Sequence, residues 1–317
     1  MLKNLILQQM LKKYELTNKK SVKNAVLEVM QEITLCGLGR SNFFHEVSFY
    51  GGTCLRLFFN LQRFSEDLDF TQDMPYNYKL DLSKYKSYID NEFASLGLDV
   101  KFEVDLKAEN NNIKRGYVSG NARKILEAFN IDEVSINKII PNELLKVKLE
   151  VDSNPPIFAG HEIRFGLLPS TYPVRIYDIE SLFAGKISAV LCRNWQTRTK
   201  GRDFYDYVFY LKNNTKVNLK CVENRIMHDG IELDHELTLD ELKKLLCDKF
   251  EKLDFESAKK DVESFIDDVS ELDVWSADFF KSITQKLEAS EKHAFILCSD
   301  EELDEYANRT RNSWFNK

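Results

Sequence analysis

The chain has 317 residues, 43% hydrophobic, 30% charged and 12% aromatic, with a net charge of −7. At roughly 150 residues per domain this suggests about two domains, with enough apolar material for real cores, so wholesale disorder is excluded. The acidic balance also excludes a generic nucleic-acid sponge, and no apolar run approaches the ~20 residues that span a bilayer.

Residues 1–40 read as two helices, the second over roughly 20–36 and ended by Gly37 and Gly39. The N-terminal helix is amphipathic without a small-residue cleavage site, so no signal peptide is expected, and the expected location is cytoplasmic. A short strand over 47–50 stops at Gly51-Gly52, and a helix follows over 53–60. Asp67-Leu-Asp-Phe70 alternates polar and apolar as a half-buried strand does. A helix over 80–96 and a strand over 100–106 come next, then turn-like stretches at 110–112 and 116–120. The clearest strand runs over 143–152 and ends at Pro155-Pro156. A helix over 178–194 carries Asp178 as its N-cap, another starts near Asp203, and everything beyond about 215 is helix-periodic and charged. Thr238-Leu-Asp-Glu241 is a capping box. The stretch 155–173 is the expected boundary. The expected class is α+β: a small mixed sheet flanked by helices over 1–165, then a helical domain over 166–317 that completes a cleft.

The six cysteines and five histidines are scattered without the short paired spacing of a zinc site. Buried free thiols in a reducing compartment are the reading they support. Charge is uneven. Five basic and no acidic residues lie over 181–202, against 15 acidic and 6 basic over 231–274. A local basic patch in an acidic chain points to a specific anionic ligand.

Chemistry concentrates in Gly51-Gly52-Thr53 followed by Asp67-Leu-Asp69. Two glycines between a strand and a helix let the backbone approach a ligand, and N–H groups at the helix start suit a phosphate, with the Thr53 hydroxyl as a further donor. Asp67 and Asp69, two apart on a strand, leave the same face. Two adjacent carboxylates repel unless a cation stands between them, and Mg2+, with its preference for hard oxygens and substrate phosphates, is the natural one. Lys146, Lys148, Glu150 and Asp152 share one face of the later strand. Glu150 is the favoured third carboxylate, with Asp152 second. On the helix from Asp178, Lys186 falls inside the apolar stripe of Ile179, Leu182, Phe183, Ile187 and Val190. It either snorkels or reaches a phosphate or a carboxylate, and a methionine there is expected to suit the core at least as well. Asp203 and Asp206 lie one turn apart, either able to pair with Lys186, beside the basic loop Arg198-Thr-Lys-Gly-Arg202. Tyr205, Tyr207 and Tyr210 read as core aromatics.

Gly51-Gly52-Thr53 with Asp67-Leu-Asp69 resembles the signature of the polymerase-beta-like nucleotidyltransferase superfamily. The longer strings Tyr50-Gly-Gly-Thr-Cys-Leu-Arg56 and Arg63-Phe-Ser-Glu-Asp-Leu-Asp-Phe70 look like one branch, the AbiEii/AbiGii toxins of type IV-style toxin–antitoxin and phage abortive-infection systems. Lys148-Leu-Glu-Val151, Lys186 and Arg202-Asp-Phe-Tyr-Asp206 fit that family's later motifs, over about 45–212. Thr53 stands where the superfamily often has serine. The resemblance implies transfer of a nucleoside monophosphate from an NTP to an acceptor, with release of pyrophosphate. Asp67, Asp69 and Glu150 would be metal ligands. Lys186, Asp203 and Asp206 would be further catalytic residues. Gly51, Gly52, Thr53, Lys186 and Arg202 would hold the triphosphate. It further implies an RNA acceptor such as a tRNA 3′ end, a cognate antitoxin as partner, and a role in growth arrest during phage attack. A small-molecule, antibiotic-type nucleotidyltransferase and a non-catalytic interaction protein are the rival readings.

Overall fold

The computed structural model describes residues 2–72, 80–108, 111–132, 140–193 and 199–290. They form a seven-stranded sheet and twelve α-helices in two compact units. The first unit comprises 1–155 and 161–177; the second comprises 156–160 and the chain from 178 onward. The chain therefore leaves the first unit, returns for a hairpin and leaves again. The expected boundary at residue 165/166 falls inside that hairpin.

In the first unit the strands are β1 (Val47–Tyr50), β2 (Leu68–Gln72), β3 (Val100–Val104), β4 (Ile113–Asn121), β5 (Leu144–Asp152), β6 (His161–Gly166) and β7 (Tyr172–Tyr177), in the order β3-β4-β5-β2-β1-β7-β6. β2 pairs with β5, and β1 with β7, in parallel; the remaining pairs are antiparallel. The helices are α1 (Leu2–Leu11), α2 (Lys19–Gly39), α3 (Phe43–Glu46), α4 (Gly51–Phe59), α5 (Lys86–Ser95) and α6 (Ala122–Ala128). α2 starts at Asn18, whose side chain accepts from the Ser21 N–H while Ser21 answers at the Asn18 N–H, a reciprocal capping box. Its Val26, Val29, Met30 and Ile33 are buried, as are Phe49, Leu68, Phe70, Val147, Leu149 and Val151 of the sheet. The period of two along β2 and β5 sends these residues to the core and Asp67, Asp69, Lys148 and Glu150 to the other face.

One expectation is corrected and another gains detail. The stretch 116–120, read as a turn, lies within the nine-residue β4. Its glycines answer to packing: a Cβ on Gly116 would come within 2.4 Å of the Phe102 ring, and one on Gly120 within 2.7 Å of the Asp99 carbonyl. The stretch 155–173, the expected boundary, contains the crossings at 155/156 and 160/161, and it also holds β6 and the start of β7, whose Tyr172, Val174, Ile176 and Tyr177 are buried. The turn expected at 110–112 begins at Asn110, which lies outside the described residues.

The second unit is built of α7 (Ile179–Cys192), α8 (Gly201–Lys212), α9 (Leu219–His228), α10 (Leu239–Phe250), α11 (Phe255–Val262) and α12 (Ala277–Thr284). Asp178 caps α7 through the Ser181 N–H, and Thr238 with Glu241 forms the expected capping box of α10. Aromatic rings from four of these helices meet: Phe204 and Tyr207 of α8, Phe250 of α10, Phe255 of α11 and Phe280 of α12. Tyr205, Tyr207 and Tyr210 are all buried, and Tyr210 stacks on Phe183 of α7.

Candidate active site

β1 ends in Tyr50 and turns directly into α4, with Gly51 at φ +80°. That left-handed conformation suits glycine. Space demands it as well, since a Cβ on Gly51 would lie 2.8 Å from the Asp69 carboxylate and one on Gly52 2.6 Å from the Arg63 guanidinium. The Asp69 carboxylate thus lies against the backbone that opens α4, where unpaired N–H groups and the helix dipole favour negative charge. Thr53 is wholly buried, and its hydroxyl donates to the Asp67 carbonyl. The hydroxyl expected to meet a phosphate instead ties the helix to the strand that bears the aspartates. Gln31 of α2 clamps the approach to that strand, its amide donating to the Ser65 and Glu66 carbonyls at 2.9 and 2.8 Å.

Parallel pairing of β2 with β5 sets Asp69 directly opposite Glu150, and β4 sets Arg115 opposite Glu150 on the other side. One carboxylate therefore lies between two cations. Arg115 Nε is 2.6 Å and Lys148 Nζ 2.9 Å from Glu150, and Lys148 Nζ also reaches Asp67 at 3.0 Å. Burial pushes the Glu150 carboxyl up, but the hydrogen bonds and charges of Lys148 and Arg115 outweigh it and hold it below the usual carboxylate range. Burial likewise opposes the Lys148 ammonium, and its bonds to Glu150 and Asp67 prevail, so its pKa stands above that of an ordinary lysine.

The donor set can be tested against Mg2+. Asp67 and Asp69 offer hard oxygens from one strand face, as that ion prefers. Among the described residues no three His, Cys, Asp or Glu side chains converge as for a single cation. The reason is local: the Lys148 ammonium bridges Asp67 and Glu150, and Arg115 holds the other Glu150 oxygen. The two aspartates fit a divalent cation that takes its remaining oxygens from a substrate. Glu150 would join them only once Lys148 withdraws.

In the second unit Lys186 does not snorkel. Its Nζ lies 2.7 Å from Asp203 and 2.8 Å from Asp206, with side-chain exposures of 14%, 4% and 0% respectively. Arg193 pairs with the other Asp203 oxygen. Both candidate acids therefore hold the lysine at once. Lys200 stays near this cluster, and the neighbouring Arg193 charge, aided by burial, lowers its pKa. Arg202 lies 3.9 Å from Asp261 and 4.1 Å over the Phe265 ring. Arg198 lies outside the described residues. Arg115 and Arg63 are the site-side residues that sequence reasoning missed. Arg115 lies on β4 between the two stretches read as turn-like, where no strand was expected. Arg63 stands within the family-like string, but nothing in its spacing gives away its contact with Gly52.

The model of the AbiEii nucleotidyl transferase toxins of type IV toxin–antitoxin systems matches residues 33–288. No curated protein matches the chain. Solved structures with a similar course include JHP933 from Helicobacter pylori, at 18% identity and a TM-score of 0.46 over 90% of this chain and 94% of that one. A second, described as a putative nucleotidyltransferase from H. pylori, has 19% identity and a TM-score of 0.43 over 81% and 91%. A third is MenT4, the nucleotidyltransferase toxin Rv2826c from Mycobacterium tuberculosis H37Rv, at 14% identity and a TM-score of 0.46 over 89% and 99%. With the family model covering most of its length, this chain belongs to the AbiEii family of nucleotidyltransferase toxins of type IV toxin–antitoxin systems.

Proposed function

We propose that this nucleotidyltransferase moves a nucleoside monophosphate from an NTP to an RNA acceptor such as a tRNA 3′ end, with Mg2+, in the cytoplasm. The physiological setting is growth arrest during phage attack, restrained by a cognate antitoxin. The observation that supports the reading is the pair of aspartates where β2 begins, Asp67 just before the strand and Asp69 within it, with Asp69 beside the glycine turn that opens α4. Asp67 and Asp69 would hold the metal, with Glu150 completing the set. Bound there, Mg2+ would neutralise triphosphate charge and polarise the phosphoryl group under attack. The backbone N–H groups of Gly51, Gly52 and Thr53 would receive phosphate oxygens, needing no side chain to do so. Thr53 would act by fixing α4 to the Asp67 carbonyl. Lys186, held by Asp203 and Asp206, would meet the triphosphate, and Lys200 and Arg202 would add positive charge for an anionic substrate.

The test is incubation with each labelled NTP and either total RNA or aminoglycosides. Label transferred to RNA 3′ ends by the native protein, and lost in Asp67→Ala and Asp69→Ala, is the expected result. Label on the aminoglycoside alone would replace the RNA acceptor with a small molecule. Both variants should keep their fold, with stability within about 1 kcal/mol of the native chain, because the Asp67–Lys148 pair is partly exposed and Glu150 retains the ammonium. Collapse of the fold on removing either aspartate would make them structural acids.

A further inference from the structure

The seven-stranded sheet has two edges, and they differ in chemistry. β3, at one edge, sends Lys101 and Glu103 outward, the charged edge that discourages strand addition. β6, at the other, pairs among the described residues with β7 alone. It presents Ile163 and Phe165 at 64% and 60% exposure, followed by Leu167 at 73%. Three large apolar side chains exposed along seven residues of an edge form a surface that monomeric proteins usually avoid. On the opposite face of β6 the pattern is polar: Glu162 and Arg164 pair at 2.8 Å, and Arg164 lies over the Phe59 ring.

The order Glu162-Ile163-Arg164 is complementary to itself when reversed. We propose that β6 is a homodimer interface, at which a second copy of this chain adds its own β6 antiparallel about a two-fold axis through Ile163. In that register Ile163 faces its counterpart. Glu162 faces the Arg164 of the second copy, and Arg164 faces its Glu162. Phe165 comes opposite His161. The pairs formed by residues 161–165 are then apolar, aromatic or of opposite charge, which is the pairing that stabilises antiparallel strands. A one-residue slip would break the charge pairing, so the charges set the register. The interface is isologous and closes at two chains. One six-residue strand with two large apolar side chains is small beside stable dimer interfaces, so association is expected at roughly tens of micromolar rather than below.

Two measurements test this on the full chain. Sedimentation over a concentration series should show a monomer–dimer equilibrium in the native protein. Glu162→Arg alone and Arg164→Glu alone should each abolish it by setting like charges opposite one another, and the double exchange should restore it. Under oxidation, Ile163→Cys should form a disulfide-linked dimer, because residues directly opposite have Cβ atoms about 4.5–5.5 Å apart. Leu167→Cys, four residues from the axis, should not. The native chain is the control for its own cysteines, and far-ultraviolet circular dichroism confirms that each variant is folded. A native protein that stays monomeric through the series overturns the proposal. So does a dimer indifferent to both single charge changes, or a double exchange that fails to restore it.

Discussion

At Lys186 the structure takes one reading that the sequence left open, pairing with carboxylates, and overturns the expectation that methionine would suit the core as well. An ammonium in an apolar stripe invites replacement by methionine. Here, however, that ammonium is shared by two buried carboxylates, and Arg193 pairs with Asp203 as well. Lys186→Met would strip Asp206 of this partner in a low-dielectric setting. Removing one member of a buried ion pair costs about 3–5 kcal/mol, and urea unfolding should show a loss of that order. Lys186→Met combined with Asp206→Leu should recover much of it, since no new charge is then stranded. A stable single variant would mean that Asp206 is satisfied without the lysine. Activity lost in Lys186→Met alone therefore says little about phosphate binding. Lys186→Arg, which keeps the charge and moves its donors, separates the roles: a raised KM for NTP at unchanged stability marks contact with substrate. Glu150 gives a second residue-scale test. Its carboxyl is held below the usual range by Lys148 and Arg115. The stability that this pairing adds is present at neutral pH and is lost as pH falls through the lowered value, in a window below about pH 4. The stability gap between the native chain and Glu150→Gln should be widest near pH 7 and narrow toward pH 3. A gap that holds or grows on acidification would show that the pairing adds no stability.

Elements were legible where one periodicity and one boundary signal agreed. β2 and β5 alternate cleanly, and α7 and α10 begin at Asp178 and Thr238, side chains that accept the first-turn N–H groups. Thr238→Ala should accordingly cost about 1 kcal/mol, read from the denaturant midpoint; no shift would mean that the helix is held by its buried Leu242, Leu246 and Phe250 alone. β4 was hidden because two of its nine positions are glycines, which read locally as turns. Their cause, the Phe102 ring and the Asp99 carbonyl, lies on a neighbouring strand and its approach. β7 was hidden by Pro173, which sits within the strand opposite Phe165. The candidate site was legible in its carboxylates and glycines, whose chemistry is local. Its counter-charges were not. Arg115 meets Glu150 only through the β4–β5 register, and the bridge from Lys148 to Asp67 needs the parallel pairing of β2 with β5. Gly51→Ala tests the most local feature. The left-handed φ alone costs about 1–2 kcal/mol in a residue with a Cβ, and that Cβ would press on the Asp69 carboxylate. Loss of stability and loss of nucleotide transfer should appear together.

The chain's path through its two units decides which fragments can stand alone. A cut at 165/166, where sequence places the boundary, keeps most of β6 and discards β7. Among the described residues β6 pairs with β7 alone, so the retained strand would lose the partner the sheet gives it. β1 would lose its parallel neighbour and become a sheet edge, with Val47 and Phe49 beside the lost strand and Tyr172, Val174, Ile176 and Tyr177 removed from the core. Burying an apolar side chain of this size is worth about 1.5–3 kcal/mol, so four such losses approach the whole stability of an ordinary domain. Fragment 1–165 should therefore be insoluble or molten. Fragment 1–177 keeps all seven strands and every hydrogen-bonded pair of the sheet. It should be soluble and unfold in one cooperative transition, with dispersed amide resonances. It also retains Asp67, Asp69, Lys148, Arg115 and Glu150 together with the glycine turn, and so isolates the strand carboxylates from Lys186. Calorimetric titration of fragment 1–177 with Mg2+ and NTP would then read what the first unit binds by itself. A fragment 1–165 as well folded as 1–177 would show that the hairpin is an appendage, and that the sheet closes at β1 without it.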